Sequence, residues 1–275
     1  MPRTRLAVLA LLAAVAALLS TTLTGSASAA VNPSAGPFPP GTNTCTSAKL
    51  QLHPNPVVLV HGTFEDAAQN WSTLAPYLEA QGYCVYALNY GQRGTQDIHA
   101  SSLQLKAFIE NFVLPDSGAS KVDIVGHSQG GLMPRDYINH SGGNATVNEL
   151  VGLSSSNHGT QNPLAPFSVG CVACRQQVYN SDYIRYVNSP TETKSPVDYT
   201  VIETRYDDVV IPYTSAFLKT DEGTQVTNVT LQDKCPGNVD DHLATPYDPV
   251  VFQWVTNALN DPANPADPAF RPVCV

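Results

Sequence analysis

The sequence predicts an α/β domain in which a mostly parallel sheet carries helices on both faces. Three observations point there. Short apolar runs rich in β-branched residues alternate along the chain with amphipathic stretches of helical period. The strongest of these runs, residues 56–60, is continuously apolar, as in central parallel strands buried on both faces. Another, residues 122–125, breaks into Gly126-His127-Ser128-Gln129-Gly130-Gly131 before a helical pattern begins at Leu132, Tyr137 and Ile138. So sharp a reversal needs Gly126 and Gly130 beside Ser128, because a Cβ at either would collide with the neighbouring strand or helix.

Residues 1–29 read as a signal peptide, with Arg3 and Arg5 ahead of an apolar stretch at 6–19 and Ala27-Ser28-Ala29 as a small-residue cleavage site. A membrane anchor is the alternative, but the apolar stretch is short for a bilayer span. Residues 30–275 are then expected to form one exported catalytic domain, of ordinary size for a single α/β core. An extended Pro- and Gly-rich arm at 31–41 precedes a strand at 56–60 and a helix at 66–81, with Trp71, Leu74 and Leu78 on one face and Gly82 as a stop. A strand at 84–90 is followed by a helix at 97–113 that directs Leu103, Leu105, Phe108, Ile109 and Phe112 toward the core. After the strand and helix around Ser128 come strands at 149–153, 199–204 and 226–231 and a last helix at 249–259. Residues 155–198 show little periodicity, and long insertions of that kind usually carry pocket walls or lids.

Removing the signal takes two of the 14 basic residues and none of the 23 acidic ones. The remaining acidic excess argues against nucleic acid or an anionic membrane as the partner. Six cysteines in an exported chain read as disulfides. Cys171 and Cys174 fit a local staple better than a redox or metal pair, leaving Cys45 with Cys84 and Cys235 with Cys274, although sequence alone leaves the connectivity open.

Ser128 is the candidate nucleophile, its hydroxyl held above the strand ends with the Gln129 amide and the helix dipole beside it. A serine needs a base and a carboxylate to orient that base, in the chain order serine, acid, histidine. The histidines after Ser128 are His140, at the end of its helix, His158, ahead of every candidate acid loop, and His242. His242 is therefore the candidate base, the alternative being a surface-loop histidine. The strand at 199–204 runs into Asp207 and Asp208, where an acid would stand at the functional edge of the sheet. Asp207 is preferred because Val209 and Val210 follow after an intervening residue, while Asp240 and Asp241 sit too close to His242 in sequence to orient it. The second oxyanion donor should lie after the first central strand, at Thr63 behind Gly62, with its hydroxyl as a third donor. His61 reads as structural, and His158-Gly159-Thr160 as pocket wall.

Residues 58–63, Gly82-Tyr83-Cys84, residues 126–131, residues 151–153 with His158-Gly159-Thr160, residues 206–212 and residues 235–242 together resemble the secreted bacterial class 2 triacylglycerol lipases of the α/β-hydrolase superfamily. The resemblance covers nearly all of the chain beyond the signal. More distantly, Gly62-Thr63, Ser128-Gln129-Gly130, Asp207-Asp208-Val209-Val210 and Asp241-His242 are similar to motifs of the fungal lipase B type. That likeness implies Asp207 as the acid, Thr63 and Gln129 as the oxyanion hole, and bridges near Cys45 with Cys84 and Cys235 with Cys274. The Cys171 and Cys174 pair departs from the lipase B pattern.

The expectation is thus an extracellular, monomeric α/β-hydrolase that cleaves carboxylic esters of lipids through an acyl-enzyme. It would need no cofactor or metal and would have no nucleic-acid or integral-membrane partner. A short-chain esterase or polyester hydrolase is the alternative within the class. A catalytically silent binding protein of the same fold is the alternative outside it.

Overall fold

The computed structural model describes residues 36–165, 168–260 and 265–275, so the expected signal segment lies outside it. Six strands, Val57–Val60 (β1), Val85–Leu88 (β2), Val122–His127 (β3), Val147–Leu153 (β4), Asp198–Glu203 (β5) and Gln225–Thr230 (β6), form one sheet in the order β2-β1-β3-β4-β5-β6. Every pairing is parallel. The strand period of two divides the apolar residues between two cores. Val58, Val60, Tyr86, Leu88 and Ile124 pack on one face against the helices Ile98–Phe108 and Gln129–His140. Val57, Leu59, Val85, Val125 and Leu153 pack on the other against Leu74–Ala80 and Pro249–Leu259. Each fully buried aliphatic side chain contributes about 1.5–3 kcal/mol, which is why continuous apolar strands define this sheet. The described residues form one compact unit.

Two expected helices are refined. The stretch at 66–81 splits into Ala67–Asn70, capped by Asp66, and Leu74–Ala80. The break at residues 71–73 falls on Trp-Ser-Thr, a weak helical run, and Asn70 turns inward to bond Gly62. The other helix, Ile98–Phe108, continues through a π-turn at Ile109–Val113 into Leu114–Ser117. Leu105, Phe108 and Ile109 are buried as expected, whereas Leu103, two positions from Leu105 and so on another side of the helix, is exposed. Among the described residues of 155–198 the chain forms two short α-helices, Val172–Gln176 and Asp182–Val187.

All six cysteines are bridged, Cys45 to Cys84, Cys171 to Cys174 and Cys235 to Cys274. Among the described residues no helix is long and apolar enough to cross a membrane. Glu192 ties the insertion to its surroundings. Its carboxylate meets His158 Nε2 at 3.1 Å and Lys219 Nζ at 3.2 Å, and accepts the Lys219 amide at 2.9 Å. Burial opposes its ionisation, but His158 and Lys219 outweigh burial and hold the carboxyl down to about 2.

A Cβ at Gly126 would stand 1.9 Å from Gly130 O, so Gly126→Ala should cost about 3 kcal/mol or more of stability in denaturant titrations. Gly237→Ala, which meets nothing, should change it by no more than about 0.5 kcal/mol. Glu192 contributes stability that is present above its unfolded value of 4.5 and is lost as pH falls through about 2. The gap in melting temperature between wild type and Glu192→Gln should therefore be full near neutrality and close toward pH 2. A gap independent of pH would refute that role.

Candidate active site

In this strand order the chain leaves β1 toward β2 on one side, and β3 lies on the other, so the crevice at the carboxyl ends opens between β1 and β3. The candidate residues gather there. Ser128 follows β3 at φ 55° and ψ −120°, a backbone conformation that L-residues avoid and that persists only because the surroundings impose it. A Cβ at Gly130 would lie 2.0 Å from Val60 O, so the helix carrying Gln129 can approach β1 only with glycine at that position. Gln129 opens that helix, and its amide has no intrahelical acceptor.

Asp207 and His242, 35 residues apart, meet at 2.7 Å between Oδ2 and Nδ1. Asp207 Oδ1 accepts the amides of Val209 at 2.9 Å and Val210 at 2.6 Å. Burial pushes the Asp207 carboxyl up, but His242 and those two amides more than offset it and hold the group below its ordinary value. With Nδ1 donating to a carboxylate, a neutral His242 presents Nε2 as an acceptor. Asp208 does not meet His242 in this way; its carbonyl accepts Asn162 Nδ2 at 3.2 Å. Asp241 Oδ1 caps the amides of Leu243 and Ala244, each at 3.0 Å.

Thr63 and Gln129 are joined through their side chains. Thr63 Oγ1 donates to Gln129 Oε1 at 3.0 Å, and Gln177 Nε2 donates to both, at 3.1 and 3.0 Å. The Thr63 hydroxyl proton is thus committed to Gln129, so it serves as a third oxyanion donor only if that bond exchanges. Gln129 Nε2 donates to the Tyr90 hydroxyl at 3.3 Å, which donates to His61 O at 2.7 Å. His61 itself is buried against Tyr90, and burial pushes its imidazole down to about 4, which fits a neutral structural role.

A second buried group stands beneath. Glu65 Oε2 lies 3.0 Å from His127 Nδ1, and the Gly62 amide donates to Glu65 Oε2 and Asn70 Oδ1, both at 3.1 Å. Burial would raise the Glu65 carboxyl, yet the hydrogen bond and charge of His127 and the Gly62 amide hold it below the usual value. His127 Nε2 meets His242 O at 3.0 Å and, facing a carbonyl, must donate. The loop before Thr63, the residue before Ser128 and the backbone of His242 are therefore held by one connected set of bonds.

Ser128, His242, Thr63 and Gln177 line a cavity of about 300 Å³. Its walls include Thr160, Leu164, Ala165, Val209, Val210 and Leu243, so the 155–198 insertion does reach it. The apolar side chains of the insertion differ in placement. Leu164 lines the cavity, Val169 is 99% exposed, Tyr183 is buried against Asp136, and Pro166 and Phe167 lie outside the described residues. Sequence reasoning passed over Glu65, Asn70 and Gln177. Among the described residues, no group of three or more His, Cys, Asp or Glu side chains is arranged to hold a metal ion.

Residues 54–255 match the family described as Lipase (class 2). A stretch of 86 residues, 29% of the chain, is 36% identical to triacylglycerol lipases of Pseudarthrobacter phenanthrenivorans and Burkholderia plantarii. That stretch spans only 27% and 24% of those two proteins. Lipase B of Aspergillus fumigatus is similar in structure, with a TM-score of 0.69 and 25% identity over 78% of this chain and 54% of that one. The mature form of a Bacillus licheniformis lipase shares the fold at a TM-score of 0.58 and 15% identity, covering 74% of this chain and 91% of its own. The fold is that of the α/β-hydrolases, and because the family match runs through most of the sequence, the chain belongs to the class 2 lipase family.

Proposed function

We propose that the chain is a serine hydrolase that cleaves carboxylic esters of lipids, triacylglycerols among them, through an acyl-enzyme. The observation that carries this reading is the 2.7 Å pair of Asp207 and His242, with His242 lining the same cavity as Ser128, which stands at a backbone geometry suited to a nucleophile. Ser128 Oγ attacks the ester carbonyl as His242 Nε2 takes its proton, and Asp207 steadies the imidazolium that results. The tetrahedral oxyanion accepts the amides of Thr63 and Gln129, whose separation is kept by the Thr63, Gln129 and Gln177 bonds. Collapse breaks the bond to the alcohol, which leaves with the proton from His242. Water then repeats the sequence on the acyl-serine and releases the acid and the free enzyme.

Lipid esters are favoured over short soluble esters by the mouth of the cavity. Phe64, Leu164, Val209 and Leu243 line it and are all exposed, an apolar rim with no charged side chain among these four. A volume of about 300 Å³ is at the small end for ligand pockets, enough for one acyl arm and the scissile ester with the rest of the substrate at the rim. The name triacylglycerol lipase carried by two relatives supports the same class. We also infer that the chain acts outside the cell after loss of residues 1–29, which three disulfides support. A monomer is inferred as well.

Ser128→Ala should abolish ester hydrolysis and labelling by an organophosphate while the protein stays folded; retained labelling at another serine would sink the assignment. Asp207→Asn should lower turnover on the order of a thousandfold or more by leaving the imidazole in the wrong tautomer, whereas Asp208→Asn should cost little. The reverse ranking would make Asp208 the acid. Kinetics on esters of increasing acyl length, below and above their solubility limits, test the substrate class. Turnover of medium and long chains, with little gain at an interface, is expected because the Cys171 and Cys174 bridge stiffens the wall. A sharp preference for acetate and butyrate with no turnover of emulsified triacylglycerol would favour the short-chain esterase instead.

A further inference from the structure

Behind the pair formed by Asp207 and His242 lies a carboxyl group that the mechanism above does not use. Glu203 is the last residue of β5, opposite Thr230 of β6, and is fully buried. Its Oε1 accepts the Thr204 amide at 2.8 Å. Its Oε2 is buried and meets no N–H or hydroxyl donor. The Glu203 carboxyl instead contacts that of Asp207, with the Ser154 hydroxyl as a neutral neighbour. Ser154 in turn meets Thr245 Oγ1 at 3.1 Å, and Thr245 donates to His242 O at the same distance, so this line of hydroxyls ends on the carbonyl of the histidine.

Two buried carboxylates in contact cannot both be ionised, and an interaction between them is a hydrogen bond only if one proton lies between them. Asp207 is held as an anion by two amides and His242, whereas Glu203 has the Thr204 amide and Ser154 alone. The proton therefore belongs to Glu203. Burial first, and the neighbouring Asp207 charge second, push the Glu203 carboxyl well above its ordinary value.

We propose that Glu203 is a positioning residue of this site, a neutral carboxylic acid that donates its proton to Asp207 and so fixes the carboxylate that orients His242. The inference rests on Asp207 being the acid of the proposed triad. A neutral donor keeps a single negative charge behind the imidazole. Were Glu203 ionised, a second anion there would favour the imidazolium and deprive Ser128 of a neutral base. Asp207, bonded in turn to His242, is the titratable group against Glu203, and Thr204 and Ser154 are its neutral neighbours.

A protonated acid can be replaced by an amide, and that is the test. Glu203→Gln donates from its amide, so kcat/KM should stay within about threefold of wild type near neutrality, and the alkaline limb of the pH profile should move upward because no second anion can form. Glu203→Leu removes the donor and should lower kcat by about 10- to 100-fold with KM unchanged. Infrared difference spectra of wild type against Glu203→Gln, read without any substrate, should show a protonated carboxyl band at neutral pH. Absence of that band, an alkaline limb unmoved in Glu203→Gln, collapse of turnover in a folded Glu203→Gln, or full activity in Glu203→Leu would each overturn the proposal. If Glu203→Leu fails to fold, the spectra and the Gln variant still decide. Full turnover by Asp207→Asn would instead remove the triad reading itself, a failure distinct from that of Glu203.

Discussion

The close approach of the helix after Ser128 to β1 and β3 is the constraint on which the rest of the site depends. With Cβ atoms excluded at Gly126 and Gly130 by backbone oxygens 1.9 and 2.0 Å away, the helix start sits against the two central strands. That places Gln129 beside Thr63, because Thr63 follows β1 at the same edge. It also forces Ser128 into its positive-φ conformation. The strain costs on the order of 1–3 kcal/mol and is offset by burial on both faces of the sheet. A larger residue at either glycine would move the serine and both expected oxyanion donors together.

Burying so many polar groups at one edge is costly unless each is paired. Around this site the pairing follows a regular division. Glu65 and Asp207 remain anions, each bonded to a histidine and to backbone amides. Glu203 escapes the cost by staying neutral. The histidine partners are connected in turn, since His127 donates to the backbone of His242. Loss of one bond would leave a buried charge or carbonyl unmatched, so the network resists piecemeal movement and keeps His242 and Ser128 in register.

The fold was legible because burial on two faces writes itself into continuous apolar runs, clearest at β1 and β2, and the strands lie at the expected stretches even where, as in β6, polar residues interleave. Ser128, Asp207 and His242 could be singled out because turn chemistry and chain order constrain them locally. Gln177 could not. Its partners are 48 and 114 residues away, and a glutamine in an aperiodic stretch carries no local signal of what it will meet. Glu203 left a faint trace, a carboxylate ending an otherwise buried strand and sharing the strand parity of Tyr199 and Val201. The short helices of the insertion left less, because five or six residues are too few to establish a period.

The insertion raises the question of how a wall built largely from loops can keep a cavity of defined shape. Arg135, on the same helix as Gln129, answers it. Its guanidinium is fully buried, and burial pushes it down to about 10. It donates to the carbonyls of Asn157 and Glu192 and to the side chains of Asn157 and Asn188, at distances from 2.6 to 3.3 Å. These acceptors are neutral and belong to the insertion, so the buried cation is satisfied only while that segment stays folded over the helix. Ser128, at the start of that helix, and the pocket wall are thereby fastened to one rigid element. Under that coupling and on the proposed function, selection among acyl chains would fall to the side chains that line the cavity, such as Leu164, Val209 and Leu243, more than to a swinging segment.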